Sequence, residues 1–208
     1  MRKLTLVMLT ILLVTMALPA GAEQVSLSAI PAVLQLPDGV YAPILTPGNL
    51  TENETYIHAK GGSAAAWAEE WKAQGILLKA YDDANNRVLV VSALADEPGQ
   101  RMVDIDQQTA GIRADYRREH LDKEGMLAAI GYRMESAEWK SFDTVGRFLM
   151  LKYRFSPGGT LQHRGFARKS VKNGLTIMLD MQVYGRALKA GDNTALNKVF
   201  DTLQFTAA

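Results

Sequence analysis

Four extended segments follow one another between Tyr132 and Tyr184, and the turns between them are too short to hold a crossover helix. They span residues 132–142, 147–155, 161–171 and 175–184, and each is rich in aromatic, aliphatic and β-branched side chains. Strands joined by turns as short as Pro157-Gly158-Gly159 pair antiparallel, because parallel pairing needs a connection of a dozen or more residues. The sequence therefore predicts an antiparallel meander that the rest of the chain has to cover.

The turn of the last hairpin decides which residues of its two strands face each other. The apolar residues of the second strand alternate and must share one face: Leu175, Ile177, Leu179, Met181 and Val183. A two-residue Asn173-Gly174 turn would place Arg164 and Arg168 opposite them. A three-residue turn, Lys172-Asn173-Gly174, with Gly174 left-handed at a bulge, places Gly165, Ala167 and Val171 there instead. We therefore predict the three-residue turn.

Hairpins and helices are predicted on both sides of this meander. Residues 32–36 and 40–45 flank Pro37-Asp38-Gly39, a turn triplet that indicates a hairpin. Ser63 is the N-cap of a helix that Gly75 ends. The other expected elements are a hairpin of 76–81 and 87–94, a helix from an N-cap at Asp104 to Leu121, and a last helix capped by Asp192.

This order of elements, closed by Asp201-Thr202-Leu203-Gln204-Phe205, resembles the PsbP-like fold. The resemblance implies an α+β domain in which a central antiparallel sheet of about seven to nine strands is sandwiched by helices. It also implies a non-enzymatic accessory or binding domain, since the family includes an extrinsic photosystem subunit, a nuclear-transport GTPase binder and bacterial lipoproteins. The segment 36–41, Leu-Pro-Asp-Gly-Val-Tyr, is similar to uncharacterised exported proteins of Gram-positive bacteria.

The start of the chain has the three parts of a secretory signal peptide. Arg2 and Lys3 precede fifteen uncharged residues, and Pro19-Ala20-Gly21-Ala22 closes the run with a small-x-small cleavage pattern. The apolar run is shorter than the roughly 20 residues that a bilayer needs, so we expect cleavage near Ala22. The predicted organisation is a signal peptide over 1–22 and one extracytoplasmic domain over 23–208, with no transmembrane segment in the mature chain.

Charge is distributed unevenly along the predicted mature chain. Residues 23–124 hold 9 basic and 16 acidic side chains, net −7, whereas residues 125–208 hold 12 basic and 6 acidic ones, net +6. Such an asymmetry is typical of a surface for an anionic partner, but two packed segments of opposite sign give the same count. The chain has no cysteine, which excludes thiol catalysis, cysteine-ligated zinc and redox sensing.

The basic residues of the meander give the predicted binding site. Lys152 and Arg154 are expected to face the same side of the sheet as Arg164 and Arg168, beside Met150, Phe166 and Met178. Like charges that face each other across a strand pair are unfavourable, so the cluster indicates an anionic partner unless acidic residues of the first half neutralise it. Nucleic acid is not an expected partner, because of the compartment and because aromatic residues are sparse among these cations.

The patterns that would indicate catalysis or a cofactor are weak. Asp104 with Asp106 gives the alternative function, a cell-envelope hydrolase that uses paired carboxylates, although a helix start explains both residues. Asp82-Asp83 with Asn85-Asn86 suits a turn better than a calcium loop. Three histidines are too dispersed for a metal site: His58 in a loop, His120 near a helix end where a cation is favoured, and His163 on the inward face near Tyr153.

Three tryptophans complete the candidates, since Trp67, Trp71 and Trp139 would form a sugar-stacking platform if their rings were exposed. Trp67 and Trp71 are one helical turn apart, which favours the core. We expect no cofactor and no metal. The sequence therefore predicts an exported, non-enzymatic binding or accessory domain whose partner is an extracytoplasmic protein or an anionic envelope polymer.

Overall fold

The computed structural model describes residues 22–27, 30–95 and 103–206. The predicted signal peptide lies outside the described residues, apart from Ala22, where the first strand begins. The strands are β1 Ala22–Leu27, β2 Ala32–Pro37, β3 Ile44–Leu45, β4 Ile76–Asp82, β5 Arg87–Ala95, β6 Tyr132–Phe142, β7 Gly146–Phe155, β8 His163–Lys172, β9 Leu175–Tyr184 and β10 Gln204–Phe205. The helices are α1 Glu54–Ala59, α2 Ala64–Gln74, α3 Ala110–Leu121, α4 Met126–Ala129 and α5 Ala190–Phe200.

Seven of these strands form one antiparallel sheet in the order β3-β4-β5-β9-β8-β7-β6. The four consecutive strands β6 to β9 are the predicted meander, and β9 joins them to the β4–β5 hairpin. A second, three-stranded sheet has the order β1-β2-β10. The predicted α+β class, with a central antiparallel sheet between helices, is confirmed.

The large sheet is covered on both sides. On one side, the small sheet and α5 bury a continuous core with β4, β5 and β9: Leu34, Leu36, Leu78, Leu89, Leu179, Met181, Leu196 and Phe200. On the other side, α1 and α2 pack Ile57 and Trp71 against β3 to β5, while α3 packs Tyr116 against β6 to β8. Each fully buried aliphatic or aromatic side chain stabilises the fold by about 2 kcal/mol. On the α5 side, coverage by the described residues is least where Arg133 of β6 and Arg154 of β7 are exposed and Arg164 of β8 is half-buried.

The residues at the helix ends largely have the capping roles that the sequence predicts, but two helices begin at other residues than predicted. Ser63 accepts a hydrogen bond from the Ala66 N–H and Gly75 ends α2 with φ 63°. The long helix starts later than predicted, because Asp104 caps a short 3-10 turn and Thr109 is the N-cap of α3. Asp192 lies inside the first turn of α5, where its carboxylate accepts the Lys189 N–H.

The predicted opening hairpin is wrong. β2 pairs with β1 and β10 in the small sheet, whereas β3 pairs with β4 in the large one. The alternating apolar residues of β2 are buried by partners at the two ends of the chain, so a local turn signal could not identify them. Helices α1 and α4 were also missed, since six and four residues are too few to show helical periodicity.

The predicted register of the last hairpin is wrong as well. The turn has two residues, Asn173 and Gly174, both with positive φ (51° and 75°), and Arg168 pairs with Leu179. This turn type matches the twist of the flanking strands. The apolar face accepts Arg168 because its guanidinium donates hydrogen bonds to the side-chain oxygens of Asn193 and Asn197 on α5.

Candidate functional site

Three arginines stand side by side on this least covered part of the large sheet. Arg133 on β6 pairs directly with Arg154 on β7, which pairs directly with Arg164 on β8. Directly paired residues of an antiparallel sheet point to one face, with Cβ atoms about 5 Å apart. We call these three residues the arginine row. Arg133 and Arg154 are exposed and Arg164 is half-buried.

No acidic group compensates the arginine row within the described part of the chain. None of its guanidiniums forms a salt bridge with a described carboxylate. Arg164 donates to the Arg186 carbonyl at 3.2 Å, and Arg133 donates to the Tyr132 carbonyl at 3.4 Å. The row therefore keeps three positive charges close together, at a cost that a bound anion would remove.

The other two predicted site residues differ in environment. Lys152 forms a salt bridge of 2.8 Å with Glu135, which lies at the bulge of β6. Arg168 is only 2% exposed, and its partners are amide and carbonyl oxygens rather than carboxylates. Burial lowers the pKa of Arg168 to about 10, so its guanidinium is still charged at neutral pH.

A groove of about 410 Å³ runs beside the arginine row. Met150 and Phe166 line it as half-buried apolar side chains, together with the cations Lys140, Lys152 and Arg168 and one carboxylate, Glu138. Met178, the third predicted neighbour, points to the opposite face of the sheet because of the corrected register. We call the arginine row and this groove together the basic face.

A second cavity, which no sequence pattern indicated, lies on the opposite side of the sheet, under α3 and α4. Its volume is about 150 Å³, and Tyr153 and Asp180 lie among its lining residues. Asp180 is 2% exposed, and its Oδ2 accepts hydrogen bonds from the Tyr153 hydroxyl at 2.6 Å and from Gln182 Nε2 at 2.9 Å. Its Oδ1 is buried without a hydrogen-bond partner among the described residues.

The absence of a side chain at Gly165 positions Tyr153 for this contact. Gly165 pairs directly with Tyr153, and a Cβ at Gly165 would come within 2.6 Å of the phenol ring. The ring therefore lies over the glycine backbone and extends to Asp180. Burial raises the pKa of Asp180 to about 6, while burial and the Asp180 carboxylate raise the pKa of Tyr153.

His120 and Lys169 lie at the edge of this cavity. Lys169 Nζ is 2.9 Å from His120 Nε2, and His120 Nδ1 is 2.8 Å from the Tyr116 carbonyl. Burial, together with the Lys169 cation, lowers the pKa of His120 to about 4. The imidazole is therefore neutral at pH 7, with Nδ1 as its donor, so His120 lies near the helix end as predicted but does not supply the cation favoured there.

The carboxylates of the hydrolase alternative are engaged in structural contacts. Asp106 accepts the Arg147 N–H at 2.8 Å and forms a salt bridge with Lys172, while Asp104 caps the 3-10 turn. In the other acidic pair, Asp82 forms a salt bridge with Arg87 and caps the turn at 83–85. Asp83 bonds to Lys60 and Tyr56 instead.

The remaining sequence candidates are mainly structural. Trp71 is buried and Trp67 stacks on it at 6.1 Å, as the helical spacing predicts, while Trp139 packs against Tyr116 in a separate cluster. His163 is buried 5.8 Å from the Tyr153 ring, also as predicted. The described residues hold no group of three or more side chains suited to a metal ion. None of the described helices is long and apolar enough to span a membrane.

Comparison with known proteins supports the fold. No protein-family model and no curated protein matches the chain. Among solved structures, the cyanobacterial PsbP protein CyanoP from Synechocystis sp. PCC 6803 is similar, with a TM-score of 0.52 and 14% sequence identity over 91% of this chain and 95% of that chain. The fold is therefore PsbP-like, as the sequence resemblance implied. At this identity the likeness extends to the fold alone.

Proposed function

We propose that this protein is an exported, non-enzymatic binding domain whose basic face holds an acidic protein of the cell envelope. The observation that carries the proposal is the arginine row, Arg133, Arg154 and Arg164, which has no described carboxylate as a partner. Three aligned cations on adjacent strands oppose one another, so the arrangement favours an anionic ligand. A PsbP-like fold is consistent with an accessory domain.

The groove beside the row favours a protein over a charged polymer. Phe166 lies between Arg164 and Arg168 along β8, and Met150 pairs with Arg168, so apolar surface adjoins the cations. A partner segment that alternates acidic and apolar side chains complements both features, whereas an envelope polymer of repeated anions would leave the apolar surface unmatched. Arg168 adds a positive charge, and its hydrogen bond to Asn197 on α5 fixes the position of that charge before a partner binds.

Export forms part of the proposal and rests on the pattern of residues 1–22. Strand β1 begins at Ala22, so cleavage after this residue would release a chain that starts one residue into the small sheet. The alternative hydrolase has no support from the geometry, because its carboxylates serve as caps and salt-bridge partners.

A pull-down with matched charge variants tests the proposal. The domain 23–208 is immobilised and incubated with an envelope extract at low and high salt. The test variant changes Arg133, Arg154 and Arg164 to Gln. The control variant removes three exposed cations elsewhere: Lys72, Arg118 and Lys123. We expect a protein partner that binds at low salt, leaves at high salt, is lost with the test variant and is kept by the control.

The extract is also treated with protease before binding. If the captured component survives this treatment and binds through the same arginines, the ligand is an anionic polymer and the protein partner is wrong. If the two variants behave alike, the basic face is not the binding surface.

A further inference from the structure

The cavity under α3 and α4 has a buried carboxylate, Asp180, among its lining residues. Asp180 has one oxygen bonded to Tyr153 and Gln182, and its second oxygen, also buried, has no described partner. A buried carboxylate is expensive unless a cation or further donors compensate it. Asp180 is among the residues that line the cavity, which brings a donor bound there next to this residue.

We propose that this cavity binds a small primary amine with an apolar body about the size of a benzene ring, whose ammonium group donates to Asp180. Besides Asp180, Tyr153, His120 and Lys169, the lining side chains are mainly apolar: Leu127, Tyr132, Met134, Leu151, Ala167 and Met178. A cavity of about 150 Å³ with such walls accommodates a benzene-sized molecule. The ammonium group supplies a hydrogen-bond donor and a positive charge for the Asp180 carboxylate.

The surroundings of the cavity provide a route for a cation. A cleft of about 640 Å³ adjoins it and shares His120, Leu127 and Lys169 with it. Three acidic residues border this outer cleft, namely Asp115, Glu119 and Asp122. Their negative charge raises the local concentration of small cations. Lys169 lines both spaces, and its ammonium lies 2.9 Å from His120 Nε2 and 5.4 Å from the Tyr116 ring.

Three probe ligands of equal size distinguish binding of an amine from binding of a neutral or an anionic ligand. Benzylamine, benzyl alcohol and benzoate have the same ring and carry a cationic, a neutral and an anionic head. Binding is measured by calorimetry on the domain 23–208 at pH 7.5. We expect saturable binding of benzylamine, at least tenfold weaker binding of the alcohol, and no binding of benzoate, because a hydrogen bond to a charged group contributes more than a neutral one.

Two variants locate the site, and a third tests the competing charge. Asp180→Asn keeps an acceptor for the Tyr153 hydroxyl but removes the charge, and should weaken benzylamine at least tenfold. Ala167→Leu fills the cavity and leaves Asp180 in place, and should also abolish binding. Lys169→Gln removes the nearby cation and should leave benzylamine binding unchanged or tighter.

Thermal unfolding checks that each variant is folded, and if Asp180→Asn is not, Ala167→Leu decides the outcome. The proposal is overturned if benzylamine does not bind the native domain, if benzyl alcohol or benzoate binds equally well, or if a folded Asp180→Asn or Ala167→Leu variant binds benzylamine unchanged.

Discussion

Two buried aspartates of this domain have opposite electrostatic environments. Asp192 is 2% exposed, and Arg186 and Arg87 contact its carboxylate at 2.7 Å and 3.5 Å. Hydrogen bonds from Arg186 lower the pKa of Asp192, whereas burial raises that of Asp180 to about 6. Asp192 therefore stabilises the fold when it is ionised, and Asp180 stabilises it when it is protonated.

The pH dependence of stability should reveal Asp180. Because its folded pKa of about 6 is above the unfolded value of 3.8, the native state retains a proton that the unfolded state releases, and stability falls as pH rises from about 4 to 6. Relative to Asp180→Asn, the native protein should lose about 3 kcal/mol of unfolding free energy across this range. Urea unfolding of both proteins at several pH values measures the difference, and parallel curves would contradict the assignment.

The opposite sign is expected for Asp192. Asp192→Asn should lower the unfolding free energy by about 3 kcal/mol at pH 7, because it breaks a buried ion pair and leaves arginines uncompensated. Since the folded pKa is lowered, the native advantage is present above pH 4 and is lost as pH falls through the folded pKa. The exposed Asp143→Asn is the control and should change stability little. If Asp192→Asn and Asp143→Asn lower the unfolding free energy equally, the Asp192 ion pair does not stabilise the fold as we expect.

Gly165 offers a steric test of the Tyr153–Asp180 contact. Gly165→Ala should destabilise by about 2 kcal/mol, because the new Cβ would press on the Tyr153 ring. The matched control is Gly191→Ala, whose Cβ would meet no atom within 4 Å and which lies in α5. That control should be neutral or slightly stabilising. Denaturant unfolding gives both values, and a neutral Gly165→Ala would show that the ring does not need this space.

Among the strands and helices, the sequence predicted those features that local signals, such as turn residues, determine. The bounds of β6 to β9 were predicted to within two residues, because glycine, proline and asparagine turns delimit each strand. Pairing with distant residues was not predictable: β2 finds its partners at the two ends of the chain. The side-chain amides of α5 that accept hydrogen bonds from Arg168 are also remote in sequence. They stabilise Arg168 on the apolar face of the sheet, and so they allow the two-residue turn that the apolar alternation alone argued against.

The same errors explain what was missed at the two sites. Arg133 lies before the β6 bulge between Met134 and Ser136, so simple alternation along the strand does not place it beside Arg154. Asp180 was missed because the predicted register shifted β9 by one residue against β8. Its true neighbours, including Ala167, became evident only with the correct pairing. Arg154 and Arg164 were predicted together because a short turn fixes the β7–β8 pair.

Repulsion within the arginine row should lower the unfolding free energy of the domain. Arg154 has a like charge on both adjacent strands, so Arg154→Gln should raise the unfolding free energy by about 0.5 kcal/mol at low salt. Screening should remove this gain at 1 M salt. The control Arg118→Gln breaks an exposed pair with Asp115 and should give no gain at either salt concentration. A gain that is independent of salt would contradict the electrostatic explanation.

For the whole molecule, the sheet separates two surfaces of different chemistry. The basic face is on the α5 side and suits an extended acidic partner, while the cavity with Asp180 is under α3 and α4 and suits a small cation. The PsbP-like fold supplies the layers, but at 14% identity it does not specify either surface. The proposed functions therefore rest on side chains that this chain places on a shared architecture.

Site-specific photo-crosslinking tests the central claim most directly. A crosslinking amino acid is placed at Phe166 in the groove, or at exposed Met126 on the opposite side of the sheet, and the domain is irradiated in envelope extract. We predict a discrete protein adduct from position 166 that disappears when Arg133, Arg154 and Arg164 are changed to Gln. The same adduct from both positions, or an adduct at 166 that survives loss of the arginine row, would contradict the assignment of the basic face as the binding surface.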